Sequence, residues 1–146
     1  VAARIGYEEP LAQRLLAGGD ILLAPARFEP CGLVQLYAMR YGTIPVVRSV
    51  GGLADTVVDA SPETLQSQRA TGSVFDGEDQ AALVRATRRA VALYQQPLVW
   101  QRLQYTGMRS DFSWERSANR YAALYAVLTP AAAEPIPAAG TLSLQA

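Results

Sequence analysis

The stretch Ala26-Arg27-Phe28-Glu29-Pro30-Cys31-Gly32 holds the residues best spaced for chemistry. It leaves an apolar run, Ile21 to Pro25, and enters a segment with helical spacing. In an open parallel sheet, ligands bind beyond the carboxyl ends of the strands. A carboxylate in such a bend, Glu29, suits sugar hydroxyls or a developing positive charge, and cannot itself hold phosphate. Three residues later a helix begins. Its first free amides, around Gly32, Leu33 and Val34, carry the positive end of the helix dipole and accept an anion, most naturally a phosphate. Gly32 lets a ligand approach the backbone closely. Carboxylate and anion cradle together point to a sugar phosphate. Plainer roles stay open for the same residues: Glu29 as a cap or facing solvent, Gly32 as a structural turn, Cys31 as a small buried residue, Tyr7 as a packing aromatic.

Composition narrows the chemistry further. The chain has 146 residues with 13 basic and 13 acidic side chains, and every basic one is Arg. Without His there is no Ser/His/Asp triad, imidazole base or His-containing zinc site within this chain. Without Lys there is no Schiff-base nucleophile or P-loop lysine. The lone Cys31 excludes internal disulfides and thiolate clusters and fits a reducing, cytoplasmic compartment. No metal is expected. Balanced charge speaks against nucleic acid or anionic membrane as a partner, and no apolar run approaches the length of a membrane span. The opening Val1-Ala2-Ala3-Arg4 is neither an initiator Met nor a secretory signal, and points to a fragment.

The elements that must position the bend follow from periodicity and punctuation. Leu11, Leu15 and Leu16 predict a helix over about 8–17, stopped by Gly18-Gly19. Ile21 to Pro25 reads as a strand buried on both faces. A helix spans about 33–41, with Leu33, Leu36, Tyr37 and Arg40 spaced at three to four and Gly42 as its stop. Ile44 to Arg48 is a second strand, Pro45 belonging at its beginning. Gly51-Gly52-Leu53-Ala54-Asp55 reads as a turn, 61–69 as surface loop, and Ser73-Val74-Phe75 as a third strand. Asp79 caps a helix to about Tyr94 whose Leu83, Ala86, Ala90 and Leu93 share a face. Pro97 opens another to Met108, and Ser113 caps a last one to Leu128. Trp100 and Trp114 read as core anchors, and Arg85, Arg88 and Arg89 as a solvated face. Residues 129–146, rich in Ala and Pro, read as a disordered tail. Strand and helix alternate as in a Rossmann-like parallel sheet with flanking helices, and the strands visible amount to half of one.

Several stretches then closely resemble the signature of bacterial glycogen synthases and plant starch synthases. They are Arg27-Phe28-Glu29-Pro30-Cys31-Gly32-Leu33 and Gln35-Leu36-Tyr37-Ala38-Met39-Arg40-Tyr41-Gly42-Thr43-Ile44-Pro45, with Gly51-Gly52-Leu53-Ala54-Asp55-Thr56-Val57, Ala70-Thr71-Gly72 and Asp111-Phe112-Ser113-Trp114. The resemblance covers about Gly6 to Leu128. It implies the GT-B architecture, with residues 1–128 as the second half of the C-terminal, nucleotide-sugar-binding domain plus a closing helix that packs on an N-terminal domain. It implies transfer of glucose from ADP-glucose to the non-reducing end of an α-1,4-glucan with retention. Glu29 would then stabilise charge near the anomeric centre. The amides of Cys31 and Gly32 would hold glucose hydroxyls, those of Leu33 and Val34 the diphosphate, and Tyr7 would stack on adenine. Tyr37 stands where related transferases carry a second glutamate, and Val34 where the family often has Thr. The alternatives are a nucleotide-sugar-binding module without activity, and a GT-B transferase using another sugar nucleotide.

Overall fold

Three short runs of branched and aromatic residues pair into one parallel sheet in the computed structural model, which describes residues 2–128. The strands β1 (Ile21–Ala24), β2 (Ile44–Arg48) and β3 (Ser73–Phe75) lie in the order β1-β2-β3, with Ile21 opposite Ile44 and Val46 opposite Ser73. The helices are α1 (Glu9–Gly18), α2 (Val34–Tyr41), α3 (Gly51–Thr56), α4 (Pro62–Gln66), α5 (Gln80–Tyr94), α6 (Pro97–Met108) and α7 (Trp114–Leu128). The Rossmann-like expectation therefore holds for the described residues. The tail expected at 129–146 lies outside them.

The core is built on the central strand. Val46 and Val47 are fully buried and point to opposite faces. On one face Val46 meets Ala86 and Ala90 of α5, while Ile44 lies in the cluster with Trp100 and Leu103 of α6. On the other, Val47 packs with Met39 of α2 and Leu53 of α3. Each such aliphatic side chain contributes about 1.5–3 kcal/mol by leaving water. The small Ala stripe of α5 lets that helix lie close on the sheet. Asp79 starts α5 by accepting the Ala82 amide at 2.8 Å, as its spacing predicts.

Pro45 sits second in a central strand and is not at its edge. Ile44 donates to Asp20 on the β1 side, whereas Ser49 donates to Phe75 on the β3 side. By the two-residue alternation the missing Pro45 donor faces β3, but below the first β3 pair, Val46 with Ser73. No ladder bond is lost there.

Local patterning misled at several points. Strand β1 is an edge strand with no fully buried residue. On α2 the buried side chains are Gln35, Ala38 and Met39, while Leu33 and Tyr37 are exposed. Gly51 to Thr56 forms a helical turn, α3, and Ser61 caps the short α4 by accepting the Thr64 amide. Trp100 is a core anchor, edge-on to Tyr94 with centroids 5.2 Å apart, but Trp114 is 86% exposed. Arg89 leaves the solvated face of α5 to pair with Asp59.

That pair closes the outer edge of the sheet. Phe75 bonds toward β2, so the main-chain groups of Val74 point away from it. Asp59 Oδ1 accepts the Val74 amide at 2.7 Å, and the Arg89 guanidinium donates to the Val74 carbonyl at 3.0 Å. Arg89 also donates to Asp59 Oδ2 at 3.0 Å and to Ser73 Oγ at 2.8 Å. Two side chains thus take the place of a further strand.

The chain divides after Ser110 into two units. In the second, the Asp111 carboxylate accepts the Ser113 amide at 2.9 Å, and Ser113 Oγ accepts the Arg116 amide at the start of α7.

Candidate functional site

The bend between β1 and α2 is held by its carbonyls, which leaves its amides free. Arg48, at the carboxyl end of β2 with only 15% of its side chain exposed, donates from Nη1 to the Arg27 carbonyl at 2.9 Å. Its Nη2 pairs with Glu78 at 2.6 Å. Gly52 of α3 donates its amide to the Glu29 carbonyl at 3.3 Å. The contact is backbone against backbone: a Cβ on Gly51 would overlap the Glu29 carbonyl, and one on Gly52 the Cys31 carbonyl. Gln35 Nε2 donates to the Gly32 carbonyl at 3.0 Å and lies 3.4 Å from the Cys31 carbonyl.

With the carbonyls turned inward, none of the amides of Cys31, Gly32, Leu33 or Val34 donates a hydrogen bond within the described residues. Gly32 makes the bend with φ +72°, a left-handed conformation that favours glycine. Leu33 precedes α2 without a capping side chain. The helix start is consequently open to an outside acceptor.

Glu29 is half-buried, and its carboxylate makes no hydrogen bond or ion pair within the described residues. It is thus a carboxylate in a fixed bend, close in sequence to the open amides. Cys31 is exposed, contrary to its reading as a buried residue. Tyr7 is 81% exposed, which sets aside a packing role. Its hydroxyl donates to Glu9, and that bond, then the Glu9 charge, raises its pKa above the usual phenol value. The bend therefore gathers Glu29 with the amides of Cys31, Gly32, Leu33 and Val34, while Tyr7 stands on its own loop.

Residue spacing did not single out Arg48, Gln35, Thr56 or the close-packed glycines. One signal for Gln35 was present: a polar residue on the helix face that Ala38 and Met39 bury. Arg48 and the glycine contacts join residues some twenty positions apart, which no local pattern reveals.

A parallel α/β sheet whose first loop presents a carboxylate and an open helix start at the strand ends defines a ligand-binding module of the Rossmann-like kind. The chain belongs to the glycosyl transferases group 1, whose family model matches residues 6–102. It is 57% identical over 125 residues to glycogen synthase 1 of Methylococcus capsulatus, covering 86% of this chain and 25% of that protein. It is 59% identical over 121 residues to glycogen synthase of Thioalkalivibrio sulfidiphilus, covering 83% of this chain and 25% of that protein. Among solved structures it is similar to the catalytic domain of starch synthase IV from Arabidopsis thaliana bound to ADP and acarbose. That match has a TM-score of 0.75 and 40% identity, over 84% of this chain and 25% of the other. The chain thus spans about a quarter of the length of these relatives. The resemblance read from the motifs, and the GT-B glycosyltransferase fold class it implies, both stand.

Proposed function

We propose that this chain is the donor-binding part of a glucosyltransferase that moves glucose from ADP-glucose to the non-reducing end of an α-1,4-glucan, with retention. The observation that carries the reading is the bend itself: an unpaired carboxylate, Glu29, beside four amides that no described residue satisfies. The glycogen synthase relatives and the ADP-bound starch synthase neighbour support it.

The chemistry follows from charge. As the glycosidic bond to the leaving diphosphate lengthens, positive charge grows at the sugar and negative charge on the phosphate. Glu29 stabilises the first. The open amides of Leu33 and Val34, with the α2 dipole behind them, stabilise the second, and because they are fixed beforehand little reorganisation is needed. The amides of Cys31 and Gly32 take glucose hydroxyls, and Tyr7 stacks on the adenine. In this reading the leaving group needs no metal or other cofactor. Retention then results from attack on the face the diphosphate leaves, with no nucleophilic carboxylate. The glucan, and an N-terminal domain on which α7 closes, are the other partners, and the compartment is the cytoplasm. Among the described residues, no helix is long and apolar enough to cross a membrane.

The test is incorporation of radiolabelled glucose into glycogen by the enzyme containing this chain, with ADP-glucose offered against UDP-glucose. Transfer from ADP-glucose is expected, and transfer from UDP-glucose alone would overturn the donor assignment.

A further inference from the structure

Gln35 is fully buried on α2, yet it serves the bend and not the core. Its Nε2 lies 3.0 Å from the Gly32 carbonyl, 3.4 Å from the Cys31 carbonyl and 3.2 Å from Thr56 Oγ1 of α3. Two hydrogens are thus shared among three oxygens from two segments. Thr56 is itself fixed, its hydroxyl donating to the Gly52 carbonyl. The amide group has been given room: a Cβ on Gly32 would come within 2.6 Å of Gln35 Oε1. That oxygen is buried without a hydrogen-bond partner among the described residues. An apolar side chain of similar size would fill the same space without this desolvation cost. Packing alone does not explain a glutamine here.

We propose that Gln35 is a positioning residue for the donor site: by holding the Cys31 and Gly32 carbonyls inward, its amide aims the following amides outward at the diphosphate. A peptide unit is planar, so fixing the carbonyl of residue 31 fixes the N–H of Gly32, and fixing that of residue 32 fixes the N–H of Leu33. These are two of the amides the bend presents. Through Thr56 the same side chain ties the bend to α3, so loop, helix start and α3 keep one geometry. Glutamate cannot do this, because it would set oxygen against oxygen. The proposal rests on the donor-site reading above and adds the residue that orients the site.

The test uses the enzyme containing this chain, with ADP as the probe, read by calorimetry and by the amide resonances of Gly32 and Leu33. Gln35→Met keeps the length and volume but cannot donate. It is expected to weaken ADP binding by about tenfold or more. It should also displace and broaden the Gly32 and Leu33 resonances, while amides of β2 and α6 stay unchanged. Affinity and resonances like those of the unaltered chain would overturn the proposal. If Gln35→Met loses its cooperative melt, Gln35→Asn decides, since it keeps a primary amide but is one methylene short of the two carbonyls. Gly32 and Leu33 resonances unshifted in that variant would overturn the proposal, and displaced ones support it. Absence of ADP binding by the unaltered enzyme would instead count against the donor-site reading. The Gly32 and Leu33 resonances without nucleotide still report whether Gln35 orients the bend.

Discussion

At the scale of single residues, Glu29 and Tyr7 separate chemistry from binding. Glu29→Ala removes a carboxylate that holds nothing in the described structure together. In the enzyme containing this chain, kcat should fall by roughly a thousandfold, with the melting temperature kept. Wild-type turnover would refute the role. Tyr7→Ala should act on the other parameter. Losing base stacking costs about 1–3 kcal/mol, so the KM for ADP-glucose should rise with little change in kcat. An unchanged KM would count against adenine stacking. Glu29 and the amides after it were legible because the site is contiguous in sequence. The exposure of Cys31 was not, because its carbonyl is drawn toward a glycine of α3 and its side chain is left outside.

At the scale of elements, caps and stops were the reliable signals. Asp79, Pro97 and Gly42 end or begin their helices as read, Gly42 with φ +84°. Gly51-Gly52 misled because glycine is locally a breaker, whereas here it is required by another segment pressed against it. Arg89 misled likewise, since its partner Asp59 lies thirty positions away. Arg89→Ala would leave Asp59 Oδ2 and the Val74 carbonyl without their donor. It should cost about 1–3 kcal/mol, measured by denaturant unfolding. It should also promote self-association seen by sedimentation, because the β3 edge would open. A monomer of unchanged stability would contradict the sealing role. In the second unit, the hydrogen bond from Ser113 holds the Asp111 carboxyl below its usual value. A lowered pKa in the folded state means a contribution present above the ordinary value of 3.8 and lost as pH falls through the lower one. Helix content at α7 should therefore decline below about pH 4, and Asp111→Ala should abolish that acid step in the α7 amide resonances. A step that persists in the variant would assign it to another group.

At the scale of the molecule, the two sheet edges differ. β3 is sealed by Asp59 and Arg89, while Ile21 and Leu23 of β1 turn main-chain groups outward with no partner among the described residues. Leu23 is 48% exposed. The chain by itself should associate with rising concentration through this strand, and a sharp two-state melt of a monomer at all concentrations would refute that. It also spans only a quarter of the relatives' length, so it should not transfer glucose from ADP-glucose to glycogen unaided. Robust incorporation by the isolated chain would overturn this.

The meeting of the Glu29–Cys31 backbone with Gly51 and Gly52 has a consequence for anyone recombining this sequence with its relatives. Segments separated by strand β2 behave as a single mechanical part, so a crossover placed between them is safe only when both parents bring bare α-carbons at 51 and 52. A parent contributing even alanine there would wedge the two apart, and with the bend as the proposed donor site the damage would surface as lost nucleotide affinity in a protein whose strands and helices are otherwise intact.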